Sequence, residues 1–293
     1  MGEDRRVKLF CFGLGYSAET LAKRLAAKGW SIAGTARDLT NIERLRGFGY
    51  EVIRFAGDAG TAELMAALAG TTHLLHSIPP DPDGDPVLRH FRAEIAGLPM
   101  LGWIGYLSTV GVYGNSGGAL VDEATPTHPN NERTRARVVA ESAWLAFGEE
   151  IGRTTQVFRL AGIYGPGRSA LDKLRAGTAR RVIKPGQVFN RIHVEDIASV
   201  LEASIARPRA GAIYNVADDE PAPPEDVIAY GAELLGVEPP PEVPFEEADL
   251  TPMARSFYGD SRRISNALIK SELGVRLAFP NYREGLRALA DTA

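Results

Sequence analysis

Residues 7–12, VKLFCF, are apolar but for one lysine, a run short enough to be a buried strand. Leu21, Leu25 and Ala26 then recur at three- and four-residue steps, the period of a helix packed along one face. Residues 31–36 form a second apolar run. Between the first run and the helix stands Gly13-Leu14-Gly15-Tyr16-Ser17-Ala18. The pattern predicts strand, glycine turn, helix and strand within about 30 residues. Further runs predict strands over 50–55, 72–77, 101–107 and 155–160, alternating with helices over 38–46, 61–68, 87–96 and 132–149. Strands and helices alternating at these lengths predict an α/β fold, a Rossmann-type doubly wound parallel sheet.

Prolines and glycines punctuate this rhythm. Pro79, Pro80, Pro82, Gly84 and Pro86 force a loop after the fourth strand, and residues 111–131 read as a long loop. Beyond residue 163 the pattern changes. Tyr164-Gly165-Pro166-Gly167 is a loop, with a helix near 171–176 and a short strand near Val182. A helix over 194–206 carries Glu195 and Asp196 as acidic caps of its first turn. A strand over 213–216, a helix over 224–235, an extended link over 238–244 and helices over 262–273 and 281–289 complete the chain. The expected organisation is a nucleotide-binding domain over residues 1–165, joined by a strand and helix from 192–217. Residues 166–191 and 218–293 then form a small C-terminal substrate lobe that closes over the carboxyl ends of the strands.

Composition narrows the chemistry. The chain has 293 residues, 44% of them hydrophobic, enough for a full core. Lysine and arginine total 33 against 37 acidic residues, and no basic block stands out, which argues against nucleic acid as a partner. No stretch approaches the about 18 apolar residues of a membrane helix. The charged start MGEDRR leads into an apolar run too short for a secretory signal. The single cysteine, Cys11, forms no internal disulfide and suits a reducing compartment. A cytoplasmic protein with a small-molecule substrate is expected. The histidines are scattered without metal-ligand spacing.

The glycine turn carries the first chemistry. Gly13 allows the tight turn, Gly15 lets the backbone approach a pyrophosphate, and Ala18 lets the helix pack on the strand. The helix start at Tyr16 and Ser17 offers N–H groups and the positive end of a dipole to phosphate. This points to NAD or NADP. An acidic residue ending the second strand would bind the adenosine 2′-hydroxyl. Arg37 stands there instead and can pair with a 2′-phosphate in a fork, which favours NADP. In the other reading Arg37 is a solvated arginine and Asp38 serves the ribose. Asp58, after the third strand, is either an adenine contact or the cap of the next helix. Ser77, at the end of the fourth strand, joins the cofactor-binding set.

Several motifs follow one another in order from Val7 to Leu289: the GxGxxA turn; Gly57-Asp58; Leu107-Ser108-Thr109-Val110-Gly111-Val112-Tyr113-Gly114; Arg159-Leu160-Ala161-Gly162-Ile163-Tyr164-Gly165-Pro166-Gly167; His193-Val194-Glu195-Asp196; and Tyr214-Asn215-Val216-Ala217-Asp218-Asp219. In them the chain resembles the extended short-chain dehydrogenase/reductase superfamily, which includes the NAD-dependent epimerase/dehydratase proteins. The resemblance implies a nicotinamide beside Ser108 and a homodimer through the helices near Val87 and Glu132. It also implies a catalytic Tyr-x-x-x-Lys at the start of the helix after the long loop. Aligned on Glu141, those positions hold Arg133 and Arg137. Arginine stays protonated, so Arg133 cannot be a general base, and the chain looks like an atypical branch. Arg137 can still bond the ribose.

Arg133 and Arg137 share a helix face, a like-charge pair that an anion would relieve. That anion is either Glu141, as an ion pair on a solvated face, or a carboxylate or phosphate of the substrate. Ser108 and Thr109 can hydrogen-bond a substrate oxygen. Tyr113 is the surrogate acid, with packing beneath the loop as its other reading, and Tyr164 is expected nearby. Arg191, with Arg159 and Lys184, is expected to line the substrate lobe, and His193 to make a structural hydrogen bond. Two functions remain open. One is an NADP-dependent oxidoreductase of the epimerase/dehydratase type acting on a small anionic carbonyl or sugar-like substrate. The other is a non-catalytic NAD(P)-binding redox sensor.

Overall fold

A computed structural model describes residues 7–291; the charged start MGEDRR lies outside the described residues. The chain divides into two compact units. The first comprises residues 1–109, 131–159 and 198–214; the second comprises 110–130, 160–197 and 215–293.

The first unit holds all of the sheet but the ends of its last two strands. Its leading strands are β1 (Lys8–Phe12), β2 (Ser31–Ala36), β3 (Glu51–Arg54), β4 (His73–His76) and β5 (Trp103–Thr109). The seven-stranded parallel sheet runs β3-β2-β1-β4-β5, then Thr154–Leu160 and Ile213–Val216. This is the Rossmann order, which reverses direction between β1 and β4. Its helices are α1 (Tyr16–Ala27), α2 (Leu39–Arg46), α3 (Ala62–Leu68), α4 (Pro86–Ala96) and α5 (Glu132–Glu150). In β1, Leu9, Phe10, Cys11 and Phe12 are all buried, which is why the run reads as continuous rather than alternating. α4 buries Val87, Phe91 and Ile95, four apart, against Phe12, Phe55 and Trp144 of one core.

Asp85 ties this core together. It starts α4 by accepting the Val87 and Leu88 N–H groups at 3.0 Å, with Pro86 at the first helical position. Its other oxygen takes His76 Nε2 at 2.8 Å and Trp144 Nε1 at 3.0 Å. One carboxylate therefore joins β4, α4 and α5.

The second unit is built from short pieces. Three two-stranded parallel pairs join Gly162–Tyr164 to Arg191–His193, Arg181–Ile183 to Glu242–Pro244, and Leu120–Val121 to Arg263–Ile264. A small core gathers Leu171, Ala222, Val227, Tyr282 and Leu286.

Here the sequence reading needs correction. The helix expected over 262–273 is a strand at Arg263–Ile264 followed by a helix at Ala267–Ser271 only. The long loop contains a 3-10 turn at Val110–Tyr113 and the strand Leu120–Val121. The helix Pro252–Phe257 was not expected. Two-residue strands carry no periodicity, and their partners lie far away in sequence. Glu195 and Asp196 stand in the first turn of the helix Val194–Ala206, as expected, and the Asp196 carboxylate also accepts Ala278 N at 2.7 Å and Phe279 N at 3.0 Å.

Candidate active site

The glycine turn is held from below by two hydroxyls. Gly13 has φ +87, and a Cβ there would meet Ser77 Oγ at 2.6 Å, so only glycine fits. Ser77 Oγ donates to Gly13 O at 2.6 Å, and the buried Thr35 accepts Gly13 N at 2.9 Å. Ser77 thus supports the turn through its backbone. Thr35, which sequence reasoning passed over, does the same from β2. The signal for it was a hydroxyl inside an otherwise apolar strand.

Gly15 differs from Gly13. It caps α1 with φ -94 and no side-chain hydrogen bond, and it is exposed. A Cβ at Gly15 would meet nothing within 4 Å. Neither backbone conformation nor protein packing demands glycine there. The open space lies at the uncapped start of a 12-residue helix, whose free N–H groups and dipole favour an anion. Ser17 and Ala18 are buried at this start, and Tyr16 is half-buried.

Arg37 follows β2, is exposed, and makes no hydrogen bond or ion pair with the described residues. Asp38 beside it is committed: its carboxylate accepts Asn41 N at 2.9 Å as the cap of α2. Asp58 is exposed and accepts Ala56 N at 3.2 Å, with its pKa lowered chiefly by backbone hydrogen bonds. It does not cap α3; Thr61 does, accepting Leu64 N at 3.2 Å.

At the carboxyl end of β5 stands a buried polar cluster. Ser108 donates to Glu141 Oε1 at 2.5 Å. Arg159 reaches the same carboxylate with Nε at 3.2 Å from both oxygens and Nη2 at 2.8 Å from Oε2. Ser108, Glu141 and Arg159 are 6%, 3% and 5% exposed. Two expectations change. Glu141 does not pair with Arg137 on a solvated face; it is buried and takes partners from β5 and the strand Thr154–Leu160. Arg159 belongs to this cluster in the first unit rather than to the substrate lobe. The burial of Glu141 is what the sequence reading did not foresee, and the signal was Arg159 itself: an arginine inside TTQVFRL requires a buried acid.

Arg137 points to the same strand end. Its Nη1 donates to Leu107 O at 2.7 Å and to Tyr106 OH at 3.1 Å. Arg133, one turn earlier, is exposed, and Thr134 takes the buried position of that turn. Thr109 is half-buried. The structure therefore brings Gly13, Gly15, Ser77, Ser108 and Arg137 to the carboxyl ends of neighbouring strands within one unit.

Tyr113, Tyr164 and Arg191 belong to the second unit. The Tyr113 ring is buried and its hydroxyl donates to Asn215 Oδ1 at 2.8 Å. Tyr164 packs edge-on to His193, and a Cβ on Gly285 would meet its hydroxyl at 2.1 Å. Burial raises the pKa of Tyr164 far above the ordinary phenol value. Arg191 donates to Phe189 O at 2.9 Å and Ala222 O at 3.1 Å. Burial lowers its pKa, opposed by the charge of Asp218, whose own carboxyl is pushed up to about 8 by burial. Lys184 bonds Tyr258 O. His193 accepts Glu195 N at 3.2 Å, and burial holds its pKa down to about 4.

Comparison with known proteins agrees with this architecture. Residues 101–217 match the model of the NAD dependent epimerase/dehydratase family. That stretch includes Ser108, Glu141 and Arg159 but not the glycine turn. A solved structure described as a functionally unknown conserved protein from Silicibacter pomeroyi DSS is 52% identical, with TM-score 0.88, over 98% of this chain and 99% of that one. Protein YeeZ of Escherichia coli (strain K12) is 29% identical over 284 residues, 94% of this chain and 97% of YeeZ. UDP-glucuronic acid 4-epimerase from Bacillus cereus, solved in complex with NAD, has TM-score 0.77 at 15% identity over 97% of this chain and 98% of that one, a likeness of fold. Residues 101–217 thus carry the model of the NAD dependent epimerase/dehydratase family, and the chain shares its fold with solved epimerase structures.

Proposed function

We propose that the protein is an NADP-dependent oxidoreductase of the epimerase/dehydratase type, acting on a small, anionic, hydroxyl- or carbonyl-bearing substrate of sugar-like character. The observation that carries this reading is the pairing of Gly15 with Arg37. The first is a glycine for which the protein itself has no need. The second is an exposed guanidinium with no partner among the described residues, at the end of β2. A dinucleotide with a 2′-phosphate accounts for both. The cofactor, when bound, supplies the site where hydride leaves or arrives. The uncapped start of α1 and the turn at Gly13 hold its pyrophosphate, with Tyr16, Ser17 and Ala18 shaping the helix start. Arg37 takes the 2′-phosphate by a fork of hydrogen bonds. Asp58 remains free of a capping role and serves the adenine. Arg137 uses its second amino group for the nicotinamide ribose, its first being held by Leu107 and Tyr106. Ser108 and Thr109 take the reacting oxygen, and Arg133, exposed at the start of α5, attracts the substrate's charge. We place the protein in the cytoplasm as a homodimer.

A second reading, a non-catalytic NADP-binding redox sensor, is favoured by one observation. Tyr113, the expected proton donor, gives its hydroxyl hydrogen to Asn215. Titration with NADPH and NADH, followed by cofactor fluorescence in wild type and Arg37→Ala, tests the cofactor assignment. NADPH binding that is tighter than NADH binding and lost in the variant supports it. Equal affinity for the two, unchanged in the variant, refutes the role of Arg37. No binding of either refutes both readings. Turnover of a carbonyl and nucleotide-sugar panel then separates enzyme from sensor.

A further inference from the structure

The Ser108 hydroxyl has one proton and two lone pairs. Its proton is committed: the Glu141 carboxylate, an acceptor only, takes it at 2.5 Å. Ser108 accepts no hydrogen bond from the described residues. Arg159 fixes the carboxylate in turn, gripping both oxygens so that Oε1 stays turned to the serine. All three groups are buried, so water does not compete for these bonds. β4 and β5 pair with His76 opposite Tyr106, so Ser108, next to last in β5, lies just beyond the position opposite Ser77. Ser108 therefore stands at the sheet edge that carries the glycine turn.

We infer that Glu141 sets the hydrogen-bonding polarity of Ser108, so that the site takes a ligand hydroxyl, which donates, in preference to a carbonyl, which only accepts. This rests on the reading of Ser108 as the group that meets the reacting oxygen. Glu141 is a positioning residue: it acts through the serine and touches no ligand. A carbonyl oxygen facing Ser108 would meet lone pairs unless the serine gave up its bond to a buried carboxylate. A hydroxyl meets an acceptor already aimed. Arg159 serves the same end by keeping the carboxylate from rotating.

The near-isosteric variant Glu141→Gln reverses the arrangement. Its amide oxygen can remain with Arg159 while its NH2 donates to Ser108, which frees the serine proton to point outward. The matched probes are cyclohexanol and cyclohexanone, a six-membered carbinol and its ketone. Their binding is measured by saturation-transfer NMR on NADP-saturated protein. Wild type is expected to bind the alcohol about three- to tenfold better than the ketone, the span of one hydrogen bond, and Glu141→Gln to lose or invert that preference. Ser108→Ala should bind both equally. An alcohol signal in wild type no stronger than the ketone signal, including none at all, overturns the inference. An unchanged preference in Glu141→Gln does the same.

Neutron diffraction from deuterium-exchanged wild-type crystals keeps the test independent of whether the variant folds. The Ser108 deuteron is expected on the line to Glu141, and a deuteron pointing away from it refutes the proposal. Failure of the cofactor reading is recognised separately, by absence of NADPH binding while the deuteron still lies toward Glu141.

Discussion

Arg159→Met tests the buried cluster most directly. The substitution keeps the length and apolar stem of the side chain but removes the guanidinium. It deletes the contacts at 3.2, 3.2 and 2.8 Å and leaves the Glu141 carboxylate 3% exposed with Ser108 as its remaining cluster partner. Stranding one partner of a buried ion pair costs about 3–5 kcal/mol, because the remaining charge keeps its desolvation penalty and loses its compensation. For a domain of this size each kcal/mol moves Tm by about 2–4 °C, so a fall of about 6–20 °C is expected. The double variant Arg159→Met with Glu141→Leu removes both charges and should recover most of that loss, since apolar groups of similar volume often replace a buried pair at little cost. Thermal melts by circular dichroism on wild type, both single variants and the double variant form a double-mutant cycle. A single variant that loses less than about 1 kcal/mol, or a double variant no better than the worse single one, would refute the claim that the carboxylate depends on Arg159.

Two further predictions concern the turn and the second unit. Gly13→Ala and Gly15→Ala should separate stability from binding. The first forces φ +87 and a 2.6 Å clash on Ser77 and should lower Tm, while the second meets nothing and should leave Tm unchanged but weaken NADPH binding measured by fluorescence titration. His193 is held neutral by burial, with a pKa down to about 4 against 6.5 when unfolded. The unfolded chain therefore binds the extra proton first, and this group's contribution to stability, full above pH 6.5, is lost as pH falls towards about 4. Urea midpoints should show wild type losing stability relative to His193→Gln across that window, and parallel pH profiles would count against a buried neutral imidazole.

The parts of this molecule that a sequence reader can see are those whose cause is local. Leu9 to Phe12 reads as a strand because burial on both faces makes it uniformly apolar, and Gly13 reads as a turn because it sits where that strand stops. α1, α4 and α5 announce themselves by apolar spacing or by caps. The strand Leu120–Val121 does not, because its reason for being extended is Arg263–Ile264, far along the chain. Half of the role of Asp196 is hidden in the same way: its place in the first turn of a helix is legible, but its bonds to the backbone of Ala278 and Phe279 are not.

Glu141 shows why the candidate site was only half legible. On the helix its nearest charged neighbour by spacing is Arg137, and a helical wheel pairs them. In three dimensions α5 lies against β5, so Glu141 faces inward, and Arg137 turns its guanidinium to the Leu107 carbonyl. The partner Glu141 requires comes from Arg159, in a strand that begins after the helix has ended. A charge inside an apolar strand and a charge on the inward face of a helix are each anomalous alone. Neither can be buried without the other, so the two anomalies together predict the contact. That rule locates Ser108 as well: a buried ion pair of this kind still has a lone pair of the carboxylate to satisfy, and the hydroxyl that satisfies it is thereby denied to the ligand as a donor. The polarity of the site thus follows from how the protein stabilises its own buried charges.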